Sequence, residues 1–185
     1  MSNAELSQLV HRIAQGDRAA FAEFYRRMEK PLFRFIRSKL NDPFHAADIL
    51  HDVFLDIWRG AKTFQDRSAV KTWAFSIAYR KVMDVFRKNR RLAGEEEMPE
   101  RMDEGPDAAQ CLIAAQEKEM VQYCLGTLSP EHRSAIELTF FEDMTYREVA
   151  EVTGIPEGTA KSRVFHAKNL LLRCLSERQK KGGRQ

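Results

Sequence analysis

Lys161, Ser162, Phe165, His166 and Asn169 are spaced so that, at 100° per residue, they share one face of a helix. Ala160, Val164, Ala167 and Leu171 fall on the opposite face and point inward. An amine, a hydroxyl, an imidazole, an amide and one ring on an outward face are groups that reach phosphates and base edges in a major groove. Arg163 and Lys168 lie toward the edges of that face, where phosphates would be met. A plain helical hairpin with a solvated polar face is the alternative, and the residues upstream favour DNA binding over it. Thr145-Tyr146-Arg147-Glu148 is a capping box, in which the Thr hydroxyl and the Glu carboxylate satisfy each other's backbone N–H groups. It opens a short helix that ends at Thr153-Gly154, where glycine supplies the left-handed residue of a tight turn. Ala150, four residues before that glycine, is small enough for a second helix to cross closely. Pro156 then starts the next helix. Together these are the parts of a helix-turn-helix.

A second group of side chains lies on a helix expected over residues 69–90. Phe75, Ala78, Tyr79, Val82 and Phe86 make its core face. Trp73 and Ile77 lie opposite, bracketed by Arg80, Lys81, Arg87 and Lys88, next to a loop that carries Phe64 and Ser68. Rings interleaved with cations suit a single nucleic-acid strand, whose bases unstack onto the rings while its phosphates meet the charges. Packing of Trp73 against another helix of the same bundle remains an equal alternative. A third group sits on a helix expected to begin near Ala46. Asp48, Asp52 and Asp56 form a row at i, i+4 and i+8, flanking an apolar face of Ile49, Leu50, Val53, Phe54, Ile57 and Trp58, with Leu55 directed away from the core. A same-sign row is repulsive, so it reads either as a docking edge for a basic partner or as an ordinary solvated face.

Other chemistries find no support. Cys111, Cys124 and Cys174 have neither paired nor metal-ligand spacing and read as reduced thiols. The five histidines (His11, His45, His51, His132, His166) are scattered, so neither a metal site nor a cofactor is expected. There is no nucleophile, base and orienter set and no phosphate-binding glycine loop. No apolar run approaches the roughly 20 residues that span a bilayer, and no signal segment opens the chain, so membrane insertion is not expected and the cytoplasm is. Met1-Ser2-Asn3-Ala4 resembles a cloning remnant and is set aside.

The elements that position these groups are read as helical almost throughout, with no alternating strand pattern. Helices are expected over 5–15, from the N-cap Asp17 to about 27, over 31–40, from Ala46 onward and over 69–90, then near 111–126, 130–141, 146–152 and 157–176. Charge divides the 185 residues into blocks: 1–92 carry 18 Lys/Arg against 10 Asp/Glu, 93–119 carry 2 against 9, and 120–185 carry 10 against 8. Two basic, polyanion-facing domains (5–92 and 111–178) are therefore expected, joined by an acidic linker over 93–110. Its two Gly, two Pro and seven acids within 93–109 lack the periodicity to pack and read as a flexible tether.

The two blocks, in this order, resemble regions 2 and 4 of the extracytoplasmic-function (ECF) sigma factors. Ala46-Ala47-Asp48-Ile49-Leu50-His51-Asp52-Val53-Phe54-Leu55-Asp56-Ile57-Trp58 is similar to the helix by which the family docks the clamp helices of the polymerase β′ subunit. The resemblance assigns that docking to Asp48, Asp52, Leu55 and Asp56. Thr63-Phe64, Ser68, Lys71-Thr72-Trp73, Ile77-Ala78-Tyr79-Arg80 and Asp84 are similar to the loop and helix that open and read the −10 element. By that likeness Phe64, Ser68, Lys71, Trp73, Arg80, Lys81 and Asp84 would hold the melted strand. Gly158-Thr159-Ala160-Lys161-Ser162-Arg163-Val164-Phe165-His166-Ala167-Lys168 resembles the helix that reads the −35 element, which assigns Thr159, Lys161, Ser162, Arg163, Phe165, His166 and Lys168 to it. The family usually has Glu at Ala47, Gln at His51, Asn at Arg80 and a basic residue, often Arg, at His166. Neither a long acidic N-terminal region nor a region 3 domain is present, as in the minimal two-domain group.

The resemblance implies an all-α chain of two small helical domains and a non-enzymatic, promoter-reading subunit of RNA polymerase. Its implied partners are core polymerase (β′ clamp helices and β flap), promoter DNA and an anti-sigma factor. An operator-binding repressor or activator would explain the C-terminal helix-turn-helix equally well. It would leave the acidic row, the Trp73 helix and the acidic linker without a purpose.

Overall fold

The computed structural model describes residues 2–40, 42–93 and 111–182. All regular structure among them is helical: α1 (Asn3–Ala14), α2 (Arg18–Arg37), α3 (Pro43–Gly60), a 3₁₀ turn (Ala61–Thr63), α4 (Val70–Ala93), α5 (Cys111–Gly126), α6 (Pro130–Phe140), α7 (Tyr146–Thr153) and α8 (Glu157–Gly182). The expected linker, apart from Ala93, lies outside the described residues.

Local chemistry sets the helix boundaries. Asp17 caps α2, its carboxylate accepting from the Ala19 and Ala20 N–H groups at 2.9 and 3.0 Å. Asp42 caps α3, with Pro43 in the first turn. Ser2 caps α1 in a capping box with Glu5, and the Asn3 amide oxygen accepts the first N–H of α4, from Val70, at 2.8 Å. The opening residues therefore have structural roles. Contrary to the expected break between residues 27 and 31, α2 runs straight through Pro31. An interior proline costs about 3 kcal/mol. Its apolar stripe (Ala20, Phe24, Met28, Leu32, Phe35, Ile36) stays in phase across the proline, every member buried. At roughly 1.5–3 kcal/mol for each large side chain, that burial outweighs one lost hydrogen bond.

Helices α1 to α4 enclose one core. Phe54 of α3 sits among Phe21, Phe24 and Tyr25 of α2, with ring centroids 4.2–6.4 Å apart. This ring cluster clamps α3 on α2 and turns the opposite side of α3 to solvent. The apolar cluster continues without a gap into Leu138, Met144, Val149, Ala150, Val152 and Ala160 of the C-terminal helices. The two helical units thus share a seam, along which α7 lies on α4. A smaller cluster of Leu125, Leu128, Ile136 and Ala167 joins α5 and α6 to α8.

The cysteines overturn one expectation. Cys124 and Cys174 are disulfide-bonded, with Cα atoms 5.7 Å apart, pinning α5 to α8. Fifty residues separate them in sequence, so only the packing of the two helices brings the thiols together.

Candidate nucleic-acid interface

The helix-turn-helix is built as its residues require. The Thr145 N–H donates to the Glu148 carboxylate at 2.9 Å and the Glu148 N–H donates to the Thr145 hydroxyl at 3.3 Å. Gly154 adopts φ +69° and its N–H donates to the Ala150 carbonyl at 2.8 Å. A Cβ there would meet nothing within 4 Å, so the glycine is required by its backbone conformation rather than by crowding. Along α8, Ala160, Val164 and Ala167 are buried, while Thr159, Lys161, Ser162, Phe165, His166, Lys168 and Asn169 are exposed. Phe165, with 61% of its surface in solvent, has its ring edge-on to His166 at 5.8 Å between centroids. The Ser162 hydroxyl donates to the Thr159 carbonyl at 3.0 Å.

Arg163 departs from this set. It is half-buried, on the side of α8 near the Tyr79 phenol of α4 rather than on the outward face. Burial raises the Tyr79 phenol's pKa, and the Arg163 guanidinium partly opposes that. Beside the outward face, His132 of α6 joins His166, Asn169, Leu170 and Arg173 around a shallow cleft. No spacing in the sequence connects His132 with α8.

A groove between α3 and α4 is lined by Asp56, Gly60, Thr63, Trp73, Ile77, Arg80, Lys81 and Asp84. Trp73 stands half-buried on its wall, against Phe64 at 4.9 Å between ring centroids. A Cβ at Gly60 would come within 3.3 Å of the Trp73 ring, so the bare glycine is what gives the indole its seat. Ile77, expected opposite the core, is buried within it. On a helix enclosed by α1, α2, α3 and α7, little of the circumference is left for solvent. The loop that carries Phe64 is held by Asp66, at φ +52°. Its carboxylate accepts from the Ser7 hydroxyl and pairs with His11 at 2.7 Å. Those two contacts, Ser7 foremost, hold the Asp66 carboxyl below its usual pKa.

The remaining expected residues divide. Arg80 is exposed, Ser68 is half-buried, and Asp84 pairs with Arg87. Lys71 is taken up by the C-terminal unit: its ammonium donates to the Glu142 carbonyl at 2.7 Å and pairs with the Glu142 carboxylate at 2.9 Å. In the acidic row, Asp48 and Asp52 are exposed, and neither forms an ion pair among the described residues. Leu55 is half in solvent, and Phe44 at the head of α3 is more exposed still. Asp56 has turned into the groove and pairs with Lys81 at 2.9 Å. Among the described residues there is no cluster of His, Cys, Asp and Glu able to hold a metal, and no helix long and apolar enough to cross a membrane.

Two family models match: Sigma-70 region 2 over residues 24–92 and Sigma-70 region 4 over 118–171. The ECF RNA polymerase sigma factor RpoE of Cereibacter sphaeroides is 33% identical over 161 residues, covering 86% of this chain and 88% of the relative. The chain belongs to the ECF sigma factors of the sigma-70 family. The ECF sigma factor SigK of Mycobacterium bovis is 29% identical over 179 residues, covering 94% of this chain and 95% of its own. CnrH, solved with the cytosolic domain of CnrY, shares the fold at a TM-score of 0.71 and 23% identity, over 94% of this sigma factor and 98% of CnrH. RpoE of Bartonella quintana, solved with the anti-sigma factor NepR, does so at 0.65 and 24%, over 83% and 97%. The chain is thus an alternative sigma factor built from two helical units, with region 2 on α2–α4 and region 4 on α5–α8.

Proposed function

We propose that this sigma factor docks core RNA polymerase through the exposed edge of α3, holds the melted −10 strand in the groove between α3 and α4, and reads the −35 duplex with the outward face of α8. Docking on the β′ clamp helices falls to Asp48, Asp52 and Leu55, two exposed carboxylates around an exposed apolar side chain. Asp56 orients Lys81 and contributes to the edge only through it. Strand capture is carried by Phe64 and Trp73, whose adjoining rings offer a surface for unstacked bases. Arg80, Lys81 and, once released, Lys71 meet the phosphates, and Ser68 and Asp84 border the track. Lys161, Ser162, Phe165 and His166 face the base edges, while Thr159, Lys168 and a freed Arg163 anchor the backbone. Two solved relatives are bound, one to an anti-sigma factor and one to a cytosolic protein domain, which supports an anti-sigma factor as the partner that holds this chain, in the cytoplasm. Region 4 also has the β flap as its expected polymerase contact. No step calls for catalysis by the chain itself.

The observation that carries the reading is the juxtaposition of Trp73, Arg80 and Lys81 along one groove, with Phe64 against Trp73, on a helical unit other than the helix-turn-helix. Gel filtration with core polymerase tests it: the sigma factor co-elutes, and permanganate then detects unpaired thymines at the promoter. An operator-binding regulator would bind duplex DNA alone and produce neither result.

A further inference from the structure

Two acidic side chains of the C-terminal unit are spent on the N-terminal one. Glu137 of α6 receives Lys39, whose ammonium is wholly enclosed and also donates to the Phe35 carbonyl at 2.9 Å and the Ser38 hydroxyl at 3.0 Å. The Ser38 hydroxyl lies 2.9 Å from the same carboxylate, and Arg133 completes the cluster at 3.1 Å. Glu142, in the turn after α6, is buried between Arg34 and Lys71. At the next residue of α4, the Thr72 hydroxyl faces Glu148 at 3.4 Å.

Lys71 and Arg163 are both needed for promoter contact in the function proposed above, on which this inference rests. Lys71 is occupied by the opposite unit, through Glu142, while Arg163 is half-buried on the side of α8 that faces Tyr79. A lysine that lies on both the carbonyl and the carboxylate of Glu142 cannot neutralise a phosphate at the same time. The geometry points to a built-in latch: Glu137 and Glu142 hold the helix-turn-helix unit against α2 and α4 and withhold Lys71 from DNA until the units part. The contact is suited to opening. A buried ion pair returns little net stability, because desolvation consumes most of the attraction. Lys39 shows the balance: burial brings its pKa down to about 8 despite the pull of Glu137. The ion pairs therefore define the register of the closed form and the apolar seam supplies its cohesion, so a competing polyanion or polymerase surface has to part that seam as well as the ion pairs.

The test uses the full chain, small-angle X-ray scattering and a fluorescein-labelled random-sequence 20-nucleotide single strand. The parent should scatter as a compact 185-residue body, with a radius of gyration of about 16 Å. Glu142→Lys with Glu137→Gln should raise the radius, keep the helical circular dichroism, and tighten strand binding several-fold. Glu142→Lys alone should also raise the radius. Adding Arg34→Glu and Lys71→Glu to that single variant restores opposite charges and should restore the compact radius, which a variant that merely misfolds would not do. An unchanged radius in the opened variant overturns the latch, as does a radius that charge restoration fails to recover. A larger, rescuable radius with unchanged strand affinity supports the latch and instead refutes the strand-capture assignment.

Discussion

Replacing Trp73 by alanine separates strand capture from core packing. The indole is half-buried, seated over Gly60 and tilted by 40° against Phe64. Complete removal of a buried Trp or Phe side chain costs about 3–5 kcal/mol. With only the outer part of the ring in solvent, most of that, at least about 2 kcal/mol, is the expected loss of stability. For a chain of this size that corresponds to a fall of roughly 4–8 °C in melting temperature. A lost base stack costs a further 1–3 kcal/mol or so, an approximately 5–150-fold reduction in open complexes at a temperature where the variant is still folded. Trp73→Phe keeps a ring at the same place and should recover most of the second effect but only part of the first. The assay is permanganate reactivity at the promoter with core polymerase, beside thermal unfolding by circular dichroism and duplex binding by gel shift. Normal footprints from folded Trp73→Ala, with only its melting temperature reduced, would refute strand capture and leave Trp73 as a packing residue.

Four further outcomes are expected. His166→Arg should change the preferred base at one or two −35 positions in a randomised selection, each mismatch worth about 1–3 kcal/mol, whereas Lys168→Ala should weaken all sequences alike and lower the salt slope by about one. Asp48→Lys with Asp52→Lys should abolish pull-down by core polymerase without altering circular dichroism, since both side chains are exposed. Reductant should lower the thermal stability of α5–α8, because cross-linking a loop of 50 residues contributes about 4 kcal/mol by loop entropy; Cys124→Ser should remove the response. The closed form holds Lys39 at about 8 against 10.5 for a solvated lysine, facing Glu137, Arg133 and Glu142. Closing therefore releases a proton between those values, so raising the pH through that window should favour the compact form in scattering, and Lys39→Met should flatten the dependence.

Most of the architecture is legible in the sequence because caps and apolar stripes act locally. Asp17, Thr145, Glu148 and Gly154 each make the backbone contact that their side chain or conformation implies. The outward face of α8 follows from periodicity alone, and its members are exposed except Arg163. What periodicity cannot supply is the identity of the surface that covers a face. Ile77 is buried on the wall of the α3–α4 groove and Arg163 is half-buried where the second unit packs on α4, and Glu137 and Glu142 look like ordinary solvated acids until Lys39 and Lys71 meet them. Pro31 resembles a helix break because propensity is local, while the stripe that overrides it draws on three other helices. The pairing of Cys124 with Cys174 is likewise a product of helix packing, with no signature in spacing. Asp66 carries no motif, and its role in seating the Phe64 loop emerges only where α1 passes beside it.

The most direct measurement is a selection from a randomised duplex library, sequencing the fragments retained in heparin-resistant complexes with core polymerase in the presence and absence of this chain. A promoter-reading sigma factor that uses both α8 and the α3–α4 groove should enrich two short motifs at one fixed spacing, and only when chain and polymerase are both present. Enrichment of a single motif by the chain without polymerase, or of the same fragments by polymerase without the chain, would contradict it.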